Sequence, residues 1–226
     1  FCDRIGVAKN TSTVEYGFLE HCLREDLNEH AQRAMAVLRP IKLTITNYPE
    51  GQSETFEVEN NPNDPEAGTR PVTFSRNLYV ESDDFLETPI PKYKRLYPDG
   101  PECRLKGAYL IKCTGCVKDE QGNVVEILAT YDPDSKGGNP ADGRKVKGAT
   151  IHWVDAETAV DAQVRLYDNL FADENPDGGD KDFLDCLNPG SLEVLEGCKL
   201  EASLANAQPS DRFQFLRLGY FCADSK

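Results

Sequence analysis

From residue 40 onward, apolar residues return at every second position in short runs, and that period decides which folds are open to this chain. Ile41, Leu43 and Ile45 alternate with Lys42, Thr44 and Thr46, and Ala149, Ile151 and Trp153 alternate with Thr150 and His152. Successive side chains of a strand point to opposite faces, so this pattern buries one face and wets the other. Further strands are expected at residues 53–58, 71–80, 103–117, 123–131, 161–169, 191–200 and 211–220, separated by clusters of Gly, Pro, Asn and Asp. So many short strands with turns between them make a barrel or sandwich, and they occupy more chain than one small barrel needs. The expectation is a mainly β protein of two antiparallel β-barrels. A different period precedes them: Leu19, Cys22, Leu23 and Leu27 have helical spacing behind the capping box Ser12-Thr13-Val14-Glu15, which predicts a helix to about Gln32. Stretches 60–68, 132–143 and 172–182 read as linkers.

A chain of 226 residues buries roughly two thirds of its unfolded surface, so a substantial core is expected. No apolar run reaches the ~18 residues of a membrane-spanning helix. The start, Phe1-Cys2-Asp3-Arg4, has no initiator Met and no leader pattern, and reads as a cut inside a longer chain. The eight cysteines are irregularly spaced, several within apolar runs, as for free buried thiols in a reducing compartment. Cys113-Thr114-Gly115-Cys116 has the spacing of half a zinc site, but no second pair follows. There is no dinucleotide, phosphate-loop or nucleophile-elbow motif, and only three histidines, of which His21 and His30 are expected on the exposed helix face and His152 packed beside Trp153. Nothing in the pattern performs covalent chemistry.

The net charge of -14 opposes nucleic-acid binding if spread evenly. It is not spread evenly. Lys92, Lys94, Arg95, Arg104, Lys106 and Lys112 lie together against only Asp99 and Glu102, whereas residues 173–185 are almost purely acidic. A basic strip on an acidic body concentrates anion attraction in one place.

Six collinear runs carry a resemblance to a known family. They are Leu19-Glu20-His21-Cys22-Leu23-Arg24-Glu25-Asp26-Leu27-Asn28; Arg33-Ala34-Met35-Ala36-Val37; Tyr93-Lys94-Arg95-Leu96; Asp142 to Gly148 continuing to Ile151-His152-Trp153-Val154; Arg165-Leu166-Tyr167-Asp168 with Leu170-Phe171; and Phe213-Gln214-Phe215 ending in Gly219-Tyr220-Phe221-Cys222. Over nearly its whole length the chain resembles the C-terminal, anticodon-binding region of bacterial-type glutaminyl-tRNA synthetases. The resemblance implies a helical connector end at 1–32, a proximal barrel from 33–84 with 185–226, and a distal barrel at 85–184. It also implies that the catalytic domain, with its ATP and Mg2+, lies upstream, that no cofactor binds this portion, and that the partner is the anticodon stem-loop of glutamine tRNA, read by a cytoplasmic monomer. Loop bases expose their Watson–Crick edges, which suits reading by Arg, Lys and Gln side chains.

Position by position, Arg33, Gln214 and Arg217 match the readers of the middle anticodon base, a uracil, whose acceptors suit Arg donors. Gln214 and Arg217 are three apart and would face opposite sides of a straight strand, so a bulge or strand end is expected between them. Lys94 and Arg95 match the residues at the third base, guanine, the usual target of basic side chains. Arg104 and Lys106, with Pro62 and Asn63, match those at the first base. Lys106 stands where the family frequently has Arg and Gly107 where it has Asn, and Lys is a point charge rather than a fork, so that base is expected to be read less sharply. Lys145 and Lys147 are expected on one strand face, suited to phosphate contacts or to structural pairing with the acidic body. The alternatives are a glutamyl-tRNA synthetase region, which would meet C at the third base, and an acidic protein-interaction domain with no RNA role.

Overall fold

The structure, a computed structural model, describes residues 1–7, 9–10, 14–173, 175–176, 178 and 182–225. A single turn of helix, α1 (Cys2–Ile5), and a longer helix, α2 (Tyr16–His30), precede the β structure. Ser12 and Thr13 of the expected capping box lie outside the described residues; the residue at the N-cap is Glu15, whose side chain makes no capping bond. Helix α2 stops at His30 because the next residues, β1 (Gln32–Ala34) and β2 (Ala36–Val37), are strand.

The remaining strands sit close to where the alternation places them. They are β3 (Pro40–Ile45), β4 (Ser53–Glu59), β5 (Thr69–Ser75), β6 (Asn77–Glu81), β7 (Cys103–Leu105), β8 (Leu110–Lys118), β9 (Val124–Tyr131), β10 (Thr150–Ile151), β11 (Val154–Asp155), β12 (Val160–Tyr167), β13 (Leu192–Leu200), β14 (Arg212–Phe215) and β15 (Gly219–Cys222). A seven-stranded sheet has the order β10-β7-β8-β9-β3-β6-β11, and the hairpin β4-β5 stands beside it. Two three-stranded sheets, β12-β13-β2 and β1-β14-β15, complete the molecule. Three pairings are parallel, β1 with β14, β7 with β10 and β3 with β9, so the ladders are not purely antiparallel as expected. The predicted strand at 149–153 is two short strands, because the chain leaves β7 after Ile151 and joins β6 from Val154. Residues 145–147 are irregular, so Lys145 and Lys147 do not share a strand face.

The main core runs from Met35 to Val154 and centres on Phe74, whose ring meets those of Tyr48, Phe56, Tyr109 and Trp153 at centroid distances of 5.1, 5.9, 5.4 and 5.3 Å. Edge-on meetings of this kind add to the stabilisation from burial. Two smaller clusters lie outside it: Ala34, Ala36, Leu204 and Phe215, and Leu38, Val164 and Cys198. The boundary expected at residue 84 falls between β6 and β7. Strands β3 and β6, on one side of it, share one ladder and one core with β7 to β11 on the other. Of the linker-like stretches, residues 60–68 are the turn of the β4-β5 hairpin, and 172–182 lies partly outside the described residues.

Residues 34–38 alternate between cores, with Met35 and Val37 in the main one and Ala34, Ala36 and Leu38 in the smaller two. A strand buried on both faces couples what it touches. Met35→Ala should lower stability by about 2–5 kcal/mol. Urea unfolding followed by fluorescence of Trp153, the one tryptophan, and by far-UV circular dichroism should then shift together. Separated transitions would show that the cores unfold independently.

Candidate nucleic-acid interface

The last carbonyls of a helix have no partner inside it and must find one outside. At the end of α2 they are met by side chains. Arg33 Nη1 donates to Ala31 O at 2.6 Å, and Arg33 Nη2 to Asn28 O at 2.7 Å and to Asn28 Oδ1 at 3.2 Å. Asn61 Nδ2 donates to Glu29 O at 2.6 Å, and Asn63 Nδ2 to Asn28 O at 3.2 Å. Asn63 N donates in turn to Asn61 Oδ1, so the 60–64 turn is tied to the helix. The expected base reader Arg33 is only 4% exposed and serves as a helix cap, while Pro62 and Asn63 are exposed on the turn beside it. Sequence reasoning did not single out Asn61, whose buried amide joins turn and helix.

Arg33 is paired with Gln214 across the parallel β1-β14 ladder, which sets their side chains next to each other on one face. The Gln214 amide makes no hydrogen bond to any described residue. Strand β14 ends at Phe215, and Arg217 sits in the following turn at φ 69°, so the strand end expected between Gln214 and Arg217 is present. From that turn Arg217 reaches across to the main sheet: Nη1 and Nη2 donate to Asp84 Oδ2 and Oδ1, both at 2.7 Å. Arg95 Nη1 comes to the same carboxylate, 3.2 Å from Oδ1, and also donates to Asp83 O at 3.3 Å. Arg217 Nη1 donates to His152 Nδ1 at 3.4 Å, whereas His152 Nε2 lies 3.4 Å from Glu81 Oε1, within electrostatic reach but without hydrogen-bond geometry. Glu81 accepts from Leu38 N at 2.7 Å and Arg39 N at 3.0 Å. Beside Asp84, the Arg217 guanidinium is raised above its ordinary value, its hydrogen bond to that carboxylate being the largest cause.

Arg104, on β7, donates from Nε to Gly138 O and from Nη1 to Thr150 Oγ1 at 3.5 Å. Gly138 is at φ 84°, and a Cβ there would come within 2.8 Å of the Arg104 side chain, so the loop can cover Arg104 only with glycine. Lys106 and Lys94 are exposed, as are Lys92, Lys112, Lys145 and Lys147. Arg144, beside the last two, is fastened to Glu102, Asp132 and Asp142, which raises its pKa, chiefly through the Glu102 hydrogen bonds. Burial pushes the Cys113 thiol up to about 11, so it is protonated at neutral pH.

The arrangement offers planar and amide donors beside free ammonium groups, a pattern that suits base edges and phosphates of one strand. Comparison with known families is decisive. Residues 31–132 and 150–224 match two family models, each described as tRNA synthetases class I (E and Q), anti-codon binding domain. The chain belongs to this anticodon-binding family. Its relatives include the glutamine–tRNA ligases of Clostridium kluyveri, 51% identical over all of the chain, Clostridium perfringens, 54% identical over 99% of it, and Bordetella pertussis, 55% identical over all of it. The chain spans about 40% of the length of these ligases.

In this anticodon-binding domain, buried acids lie against the candidate readers. Asp84, Glu81 and Asn61 stand in polar runs that read from sequence as surface, and only their long-range partners reveal them. Burial raises the Glu81 pKa and is the largest single influence on it. The opposing pull of His152 and the Leu38 and Arg39 N–H groups prevails and leaves it below its ordinary value of 4.5. A carboxylate with a lowered folded pKa contributes stability above its unfolded value and loses it as pH falls through the folded one. Unfolding free energy should thus drop below pH 4.5, and Glu81→Gln should flatten part of that drop in urea titrations at about pH 6 and about pH 3.5. An unchanged slope would remove Glu81 from the account.

Proposed function

We propose that this chain reads the anticodon loop of a glutamine-accepting tRNA, and that the protein it belongs to joins glutamine to that tRNA with ATP. The observation that supports the reading most is the ladder pairing of Arg33 with Gln214, with Arg217 in the turn that follows the same strand; the resemblance expects these three groups at one base. Gln214 and Arg217 face the middle uracil, and Arg33 adds the N–H groups that the helix carbonyls leave free, since a guanidinium carries five. Lys94 and Arg95 take the third base. Arg104 and Lys106, with Pro62 and Asn63, take the first. Lys145 and Lys147 contact phosphates.

The fold belongs to the same proposal. One barrel forms around the main core from the seven-stranded sheet and the β4-β5 hairpin, and a second forms from the two three-stranded sheets, with the loop bases held at the seam that Arg217 crosses. ATP and Mg2+ are assigned to the catalytic part of the longer protein. Among the described residues no helix is long and apolar enough to cross a membrane. Eight free cysteines fit a monomer working in the reducing cytoplasm.

Gln214 gives the cleanest test, because shortening it leaves no described group without its partner. Gln214→Ala should cost about 1–3 kcal/mol toward an anticodon stem-loop carrying the cognate middle uracil, and almost nothing once that base is replaced. Lys147→Ala should weaken binding modestly and equally for every anticodon, as a phosphate contact does. A Gln214→Ala loss that is uniform across anticodons would overturn the middle-base assignment.

A further inference from the structure

The Asp84 side chain has no exposed surface, yet it carries two arginines that arrive from different parts of the chain. Arg217 comes from the β14-β15 turn and grips both oxygens at 2.7 Å; Arg95 comes from the segment after residue 90 and meets Oδ1 at 3.2 Å. The backbone that carries the carboxylate is itself held in place. Leu96 N donates to Asp84 O at 3.0 Å, and Tyr93 Oη donates to the neighbouring Asp83 O at 3.1 Å, so the segment bearing Arg95 is fixed to the turn bearing Asp84. The Arg217 and Arg95 side chains remain 30% and 41% exposed, so each is anchored at one edge and open at another.

We propose that Asp84 is a positioning residue that couples the reading of the middle and third anticodon bases, an inference that rests on the assignment of Arg217 and Arg95 above. Two guanidinium groups brought to one place repel, and a single buried carboxylate between them turns that repulsion into attraction to a shared partner. The bidentate grip fixes the plane of the Arg217 fork, the geometric condition for recognising a base edge. Because Oδ1 serves both arginines, a change in one alters the hold on the other. Neighbouring bases are then read as a pair: a mismatch that displaces Arg95 loosens Arg217 as well. His152 extends the joint, since it stands between Arg217 and Glu81, and Glu81 fixes the backbone of Leu38 and Arg39.

Asp84→Asn keeps the shape, removes the charge and turns an amide donor toward a guanidinium. It should reduce discrimination at the middle base and at the third base together, by at least about threefold each, measured as the ratio of affinities for cognate and singly substituted anticodon stem-loops. Arg95→Ala, at a partly exposed position that the fold tolerates, keeps the test open should Asp84→Asn fail to fold. It should lower discrimination at the middle base, which Arg95 does not touch, by at least about threefold as well. The proposal is overturned if Asp84→Asn weakens all RNAs equally with ratios unchanged, or if Arg95→Ala affects the third base alone. If the unaltered chain fails to distinguish the anticodons at all, it is the reading of the loop that falls.

Discussion

The placement of everything else depends on residues 32–39, a stretch of backbone with packing on both sides. Its even positions Ala34, Ala36 and Leu38 fill the two small clusters, and its odd positions Met35 and Val37 fill the main core. The same stretch pairs with β14 through β1 and with β13 through β2. Buried acids fix it at both ends of its second half: Met35 N donates to Glu201 Oε2 at 2.8 Å, and Leu38 N and Arg39 N donate to Glu81. Glu201 is buried against Arg70, which binds it through Nε and Nη2, and against Ser203 Oγ. A buried pair of this kind is costly to break singly, because the remaining charge is left in a poorly solvated place. Its effect here is to lock the C-terminal sheets against the β4-β5 hairpin, which packs in the main core, where their own apolar clusters are small.

That lock decides where the candidate readers go. Arg33 enters the stretch with its guanidinium under α2, and the ladder to β14 brings Gln214 beside it. The β14-β15 turn then carries Arg217 back to Asp84 on the main sheet. The seam between the sheets is thereby crossed by ionic contacts rather than closed by apolar packing alone. Such a seam can present charged donors to a ligand while keeping them in fixed directions, which a loose basic surface cannot do. The lysines are different: Lys94, Lys106, Lys145 and Lys147 are exposed, as attraction to phosphates requires.

The strands with one wet face were legible because their period is local. Strands β3, β4, β9, β12 and β13 fall nearly where alternation puts them. Strands β1 and β2 were not, since they are three and two residues long and the stretch from Ala34 to Leu38 is apolar throughout with no period to detect. The parallel pairings and the true extent of the main core are long-range facts that turn composition cannot report. Within the site, the candidate readers came from the family resemblance, and the strand end before Arg217 followed from spacing. Asp84 was hidden because it follows Ser82 and Asp83 in what looks like a solvated acidic turn, and Arg33's grip on α2 was hidden because a capping arginine leaves no pattern of its own.

The central claim is that the RNA loop lies at the seam where Gln214, Arg217 and Arg95 meet. A structure of the 226-residue chain bound to the anticodon stem-loop of glutamine tRNA tests it directly. The account predicts three unstacked bases, the middle one within hydrogen-bond distance of Gln214 and Arg217 and the third beside Arg95, with Asp84 still joining the two arginines. An anticodon loop bound on another face of the molecule, with that seam empty, would contradict it.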